Sequence, residues 1–166
     1  MSSRDADDVD NILALENQLC FALYTAHRAL TRAYGDLLEP LGVTYPQYLV
    51  LLALWQRDHR PVSELGTCLG LDSGTLTPML KRLADNGVVE RKRDDEDARV
   101  VMISLTRAGK ALEAKAREIP IKLAERAGFD VRKPKSLAGL RRLRDQLREL
   151  AETVVERDHD LESLSS

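Results

Sequence analysis

Cysteine is nearly absent from this chain: Cys20 and Cys68 are the only two in 166 residues. Two thiols are too few for a disulfide framework or a thiolate zinc site. Folding must therefore rest on a hydrophobic core, and a chain of this length buries roughly two-thirds of its unfolded surface. No run approaches ~20 apolar residues, which excludes a transmembrane helix. The start carries Asp5, Asp7, Asp8 and Asp10 against a single Arg4, the opposite of a secretory signal, so a cytoplasmic location and no membrane contact are expected. Neither charge sign dominates. Twenty-five basic residues face 27 acidic ones, a net charge of -2, so polyanion binding would have to come from local clustering. His27, His59 and His159 have no metal-ligand spacing, and no Gly-rich phosphate loop, hydrolase elbow or paired-carboxylate signature is present. No metal, cofactor or catalytic residue is assigned.

What is there is mostly helical. Glycine and proline are scarce, at nine and six, and apolar residues recur every three or four positions. Ile12, Leu15, Leu19, Leu23, Ala26 and Leu30 predict an amphipathic helix. Pro40, Gly42 and Pro46 punctuate the next stretch. Tyr48, Leu49, Leu51, Leu52 and Trp55 then predict a buried helix closed by Arg60–Pro61. Val62, Leu65 and Leu69 mark a short helix, Gly70–Leu71 a turn, and Asp72 the N-cap of a second helix with Leu76, Leu80 and Leu83 inward and Gly87 at its end. That is a helix-turn-helix pattern. Pro78 is awkward inside it, and implies either a late start near Thr75 or a distortion. The period then changes to that of strands. Val88–Arg93 is extended, Asp94–Asp97 forms an acidic tip, and Val101, Ile103 and Leu105 alternate with Val100, Met102 and Ser104. A charged hairpin after a helix-turn-helix is a wing. Thr106 caps a further helix (Leu112, Ala116, Ile119, Leu123) that Pro120 bends. Ser136 caps the last (Leu137, Leu140, Leu143, Leu147, Leu150, Val154). Terminal helices with such stripes need something to bury against, and a partner subunit is the economical answer.

Between Lys81 and Lys110 eight basic residues face six acidic ones, a small excess whose placement matters. Ser73, Thr75, Thr77, Lys81 and Arg82 lie away from the leucine stripe, and hydroxyls and long cations suit base edges and phosphates in a major groove. Arg91, Lys92 and Arg93 stand on one wing strand and Arg99 opens the other. An arginine at a hairpin tip can enter a minor groove, provided the acidic tip holds it, and Asp97 is placed to do so. The plainer alternative is a solvated helix face and a charged hairpin in an ordinary domain. Cys20, between Leu19 and Phe21, is by itself a small buried hydrophobe. Yet Tyr24, Tyr34, Tyr45 and Tyr48 crowd the same region. Tyrosine hydroxyls can favour a thiolate, the form that attacks peroxide, or they can simply form an aromatic core. Cys68 reads as packing.

Three stretches carry a family resemblance. Leu15-Glu16-Asn17-Gln18-Leu19-Cys20-Phe21, the segment from Leu41 to Leu54 with Thr44-Tyr45-Pro46-Gln47-Tyr48, and Leu71–Leu83 with Asp97, Arg99 and Leu105-Thr106 after it, resemble MarR-family winged-helix repressors, in the organic hydroperoxide resistance (OhrR) subgroup. The resemblance spans roughly residues 12 to 120. It implies a homodimer built from the N- and C-terminal helices and a recognition helix that runs through Pro78, which joins the DNA-facing set. It also implies a redox-sensing Cys20 bonded by Tyr34 and Tyr45 of the other subunit, with Tyr24 nearby. Oxidation would then shift the dimer and release a pseudo-palindromic operator. Two-cysteine members carry a resolving cysteine after the wing. Arg117 to Ala127 holds none, so the one-cysteine type is implied, with a small cellular thiol as the onward reactant.

The expected architecture is therefore mainly α with a small β-hairpin wing. Residues 1–11 are a disordered acidic start and 12–34 a dimerisation and sensor helix. Residues 35–106 form the winged helix-turn-helix, 107–160 the C-terminal dimerisation helices, and 161–166 a disordered tail. The expected function is a peroxide-sensing transcriptional repressor, not an enzyme. Two alternatives stay open: a MarR-type repressor released by a bound aromatic ligand with Cys20 structural, and a thiol peroxidase.

Overall fold

The computed structural model describes residues 11–164, and side-chain surroundings as far as Arg157. The acidic residues 1–10 lie outside the described residues. The chain divides after Ile119 into two units.

The first unit begins with a 3-10 turn, Leu15–Asn17, and the long helix α1, Leu19–Leu38. Of α1 only Leu38 is buried. The predicted stripe began at Ile12, but Ile12 and Leu15 precede the helix, which starts at Leu19 and runs on to Leu38. Leu19, Leu23, Ala26 and Leu30 of that stripe are exposed in the single chain. Helix α2, Tyr45–Gln56, starts at a capping box, in which the Thr44 amide donates to Gln47 Oε1 at 2.9 Å. It buries Tyr48, Val50, Leu51, Ala53 and Leu54, as an all-round apolar helix must.

Helices α3, Val62–Leu69, and α4, Ser73–Asp85, form the helix-turn-helix. Gly70 supplies the left-handed residue (φ 62°) that ends α3, a conformation that costs glycine nothing. Asp72 caps α4, its Oδ1 accepting from the Thr75 amide at 2.9 Å, and Leu76, Leu80 and Leu83 face inward. Helix α4 does not start late. It begins at Ser73 and runs through Pro78.

The wing holds one strand more than predicted. Strands β1, Arg60–Pro61, β2, Val89–Arg93, and β3, Val101–Leu105, make a sheet of order β1-β3-β2. Arg60 pairs with Ile103 on one side of β3, and Arg91 pairs with the same residue on the other. A two-residue strand ending in proline has no alternation to read, and proline is tolerated only at such an edge.

Helix α5, Arg107–Ala116, is capped by Thr106 Oγ1, which accepts from the Gly109 amide at 3.0 Å. The expected single bent helix is two. Helix α5 stops at Ala116 and α6 covers Ile119–Arg126, because Pro120 has no amide to continue the ladder from the end of α5.

In the second unit, α7 runs over Pro134–Leu164. Proline at the first position starts it, so Ser136 is not its cap. Ser136 Oγ instead accepts from the Asp130 amide at 2.8 Å. Helix α7 extends through residues 161–164, which corrects the expected disordered tail. No glycine or proline follows Gly139 to stop it. Ser165 and Ser166 lie outside the described residues. Leu143, Leu147, Val154 and Val155 are exposed along α7. Among the described residues no single helix is long and apolar enough to cross a membrane.

Candidate nucleic-acid interface and thiol site

Helix α4 presents two chemically different faces. Its leucines enter the core, while Ser73, Thr75, Thr77, Pro78, Lys81 and Arg82 are all exposed. Thr75 is pinned at the helix start: its hydroxyl donates to Asp72 Oδ2 at 2.9 Å. The Thr75 amide, and then its hydroxyl, hold the Asp72 carboxyl below the usual range. Spending the hydroxyl hydrogen on Asp72 leaves the Thr75 oxygen an acceptor toward solvent.

The wing places its cations by register. Arg91 and Arg93 pair with Ile103 and Val101 and so share one sheet face. Lys92 takes the other face, with its Nζ 3.1 Å from Asp95. Arg99 is 92% exposed, yet its guanidinium is fixed. Nε donates to Asp97 Oδ1 and Nη2 to Oδ2, both at 3.1 Å, and the Arg99 amide donates to Oδ1 at 3.0 Å. The Arg99 side chain, then its amide, lower the Asp97 carboxyl. The acidic tip is occupied internally as well: Asp94 Oδ1 accepts from the Glu96 and Asp97 amides. Asp94, Asp95 and Asp97 therefore each brace the hairpin.

Sequence reasoning missed Asp58. Its Oδ1 accepts from the Leu105 amide at 2.8 Å, at the end of β3, and from the His59 amide at 2.8 Å. Lys110 of α5 lies 3.1 Å from Oδ2. One carboxylate thus joins the loop after α2, the wing and α5. Partial burial pushes this carboxyl up, but the Leu105 amide, Lys110 and the His59 amide outweigh it and hold it below the usual range. A carboxyl depressed in the folded state stabilises above its unfolded pKa, about 3.9, and that stability is lost as pH falls through the folded value. Asp58→Asn is therefore expected to cost about 1–2 kcal/mol at neutral pH. Its deficit against the parent should shrink below about pH 4, as read by thermal unfolding across pH. A deficit that does not change with pH would show that the charge is idle.

Cys20 is exposed, not a buried hydrophobe, and is the second residue of α1. Tyr24 follows one turn later, and its hydroxyl accepts from Arg28 Nη1 at 2.8 Å. Tyr34 and Tyr45 stack on each other, centroids 4.4 Å apart, and Tyr48 lies 5.8 Å from Tyr34. Burial, then Tyr45 and Tyr48, push the Tyr34 hydroxyl up to about 12. Burial alone raises Tyr45. Both stay protonated and able to donate. Tyr34 is fourteen residues beyond Cys20 on α1, about 21 Å along the helix, so the structure does not bring this pair to the thiol of its own chain. Cys68 is exposed too, which corrects its reading as packing. Leu65 carries the buried position of α3, and the Cys68 Sγ lies 4.0 Å from Arg60 Nη1.

A family profile for the SarA/Rot transcriptional regulators matches residues 32–115, the span from the end of α1 to α5. The organic hydroperoxide resistance transcriptional regulator of Bacillus subtilis is 50% identical over 127 residues, covering 75% of this chain and 86% of the relative. The chain belongs to the MarR/SarA–Rot family of winged-helix transcriptional regulators. Solved members of the family share its fold. Reduced AbfR of Staphylococcus epidermidis bound to DNA superposes with a TM-score of 0.68 at 35% identity, over 84% of this chain and 92% of that one. A MarR variant of E. coli gives 0.63 at 27% identity, over 78% and 96%. These relatives are transcriptional regulators, not enzymes.

Proposed function

We propose that this regulator is a homodimeric repressor that binds a pseudo-palindromic DNA operator and releases it when an organic hydroperoxide oxidises Cys20. The observation that carries the reading is an exposed thiol at the start of α1, on a helix whose apolar stripe stands exposed among the described residues. A second α1 laid against it would bury leucines and could bring one chain's Tyr34 and Tyr45 to the other's Cys20. The relative at 50% identity is an organic hydroperoxide resistance regulator, and AbfR has been solved on DNA in a reduced and an overoxidised form.

The chemistry balances in two steps. The Cys20 thiolate attacks the terminal peroxide oxygen, the O–O bond breaks, and the leaving alkoxide takes up a proton as an alcohol. Sulfur is oxidised to sulfenic acid and the hydroperoxide is reduced. A small cellular thiol can then form a mixed disulfide with loss of water. Phenols that bonded a thiolate no longer fit S–OH, so the dimer repacks, and two recognition helices matched to successive major grooves lose register.

On the DNA side, Ser73, Thr75, Thr77, Pro78, Lys81 and Arg82 would face the major groove. Arg91 and Arg93 would meet the backbone, and Asp97 would present Arg99 to the minor groove. The test uses a duplex selected from a random-sequence library by the reduced protein. Binding should weaken steeply with salt. Arg99→Ala should lower affinity about tenfold and flatten the salt slope by about one. One equivalent of cumene hydroperoxide should release the parent. Failure to enrich any duplex, or binding indifferent to both salt and peroxide, would overturn the proposal.

A further inference from the structure

The phenol pair at the end of α1 and the root of the wing are joined by an unbroken run of packed groups. Tyr34 stacks on Tyr45 and lies 5.8 Å from Tyr48, and Tyr48 meets Trp55 edge-on at 6.1 Å and 67°. Tyr48 is 1% exposed and its hydroxyl has no hydrogen-bond partner among the described residues, so it transmits by packing. Trp55, at the end of α2, donates its indole N–H to the Gly109 carbonyl in the first turn of α5, at 3.0 Å. That turn is welded to both wing strands. Thr106 follows β3 directly, and its hydroxyl donates to the Gly87 carbonyl at 2.7 Å, just before β2. The Thr106 amide donates to the Val88 carbonyl at 3.2 Å.

We propose that Trp55 is the positioning residue that couples the phenol cluster to the wing, holding the wing root through Gly109 while resting on Tyr48. This rests on the thiol-sensing reading above. A close-packed interior passes on a displacement instead of absorbing it. When Tyr34 and Tyr45 move, Tyr48 and Trp55 move with them, and the first turn of α5 carries the wing out of register.

Trp55→Phe keeps a ring against Tyr48 and removes only the indole N–H and its reach to Gly109. In the full-length variant, oxygen uptake at Cys20 by intact mass should stay within about twofold of the parent, and release is read against the variant's own reduced affinity for the selected duplex. The factor by which cumene hydroperoxide weakens binding should shrink by about 2- to 30-fold. An unchanged release factor overturns the coupling role and leaves the sensing reading standing. Trp55 is also the only tryptophan in the chain, so its emission gives a second test that needs no variant at that position. Emission should change in step with Cys20 oxidation in the parent and stay constant in Cys20→Ser. Constant emission in a parent that is oxidised and releases DNA overturns the inference just as well. A parent that takes up oxygen yet keeps its duplex overturns the sensing reading, and the coupling role with it.

Discussion

A Cys20→Ser protein is expected to hold the selected duplex as tightly as the parent and to keep holding it in the presence of organic hydroperoxide. Serine matches the thiol in size and Cys20 is exposed in the chain, so little packing is at stake. A serine hydroxyl cannot be oxidised by a peroxide to a stable analogue of sulfenic acid, so the trigger is gone while the DNA-facing surface is untouched. Couplings of this kind are worth about 5- to 150-fold in affinity, and the whole of that factor should vanish. Fluorescence anisotropy of labelled duplex before and after one equivalent of cumene hydroperoxide reads it directly. Release by the variant would mean that another group senses the peroxide. The exposed Cys68 is then the first place to look, and Cys68→Ser is the control.

The largest expected effect on folding is at Gly109. A Cβ at this position would collide with the Val88 carbonyl oxygen and come within 3.1 Å of Leu105 Cδ2. The obstacle is backbone, and the Val88 carbonyl cannot step aside without breaking its bond from the Thr106 amide. Gly109→Ala is therefore expected to destabilise by about 2–4 kcal/mol. For a chain of this size that is a fall in melting temperature of roughly 5–15 °C. DNA affinity should fall as well, since α5 would lift from the wing root. A melting temperature within a degree or two of the parent would show that the contact between α5 and the wing is loose. The coupling argued for Trp55 would then lose its anchor.

The parts of the fold that were legible in the sequence are those specified by local chemistry. Asp72 before a leucine stripe marks the start of α4, and the alternation of Val101, Ile103 and Leu105 marks β3, because capping and period act within a few residues. Asp97 and Arg99 are two positions apart and form the expected pair. The parts that were not legible depend on residues far apart in the chain. Asp58 meets Leu105 47 residues on, and Trp55 meets Gly109 54 residues on. Neither leaves a periodic trace. Strand β1 is two residues long and exists only because β3 lies beside it. The two prolines behave differently, and only the effect of Pro120 was underestimated. Pro78 is carried inside α4, where the leucine face holds the helix down, whereas Pro120 separates α5 from α6. Local sequence also could not tell an exposed Cys20 from a buried one, since its neighbours Leu19 and Phe21 are apolar on either reading.

The most direct measurement follows Cys20 and the DNA in the same samples. Reduced protein on labelled duplex is titrated with cumene hydroperoxide, and each point is split between anisotropy and intact mass with peptide mapping. The account predicts that the fraction of duplex released rises in step with the fraction of protein carrying added oxygen, or its thiol adduct, at Cys20. Duplex released while Cys20 keeps its reduced mass, or retained when Cys20 is fully oxidised, would contradict it.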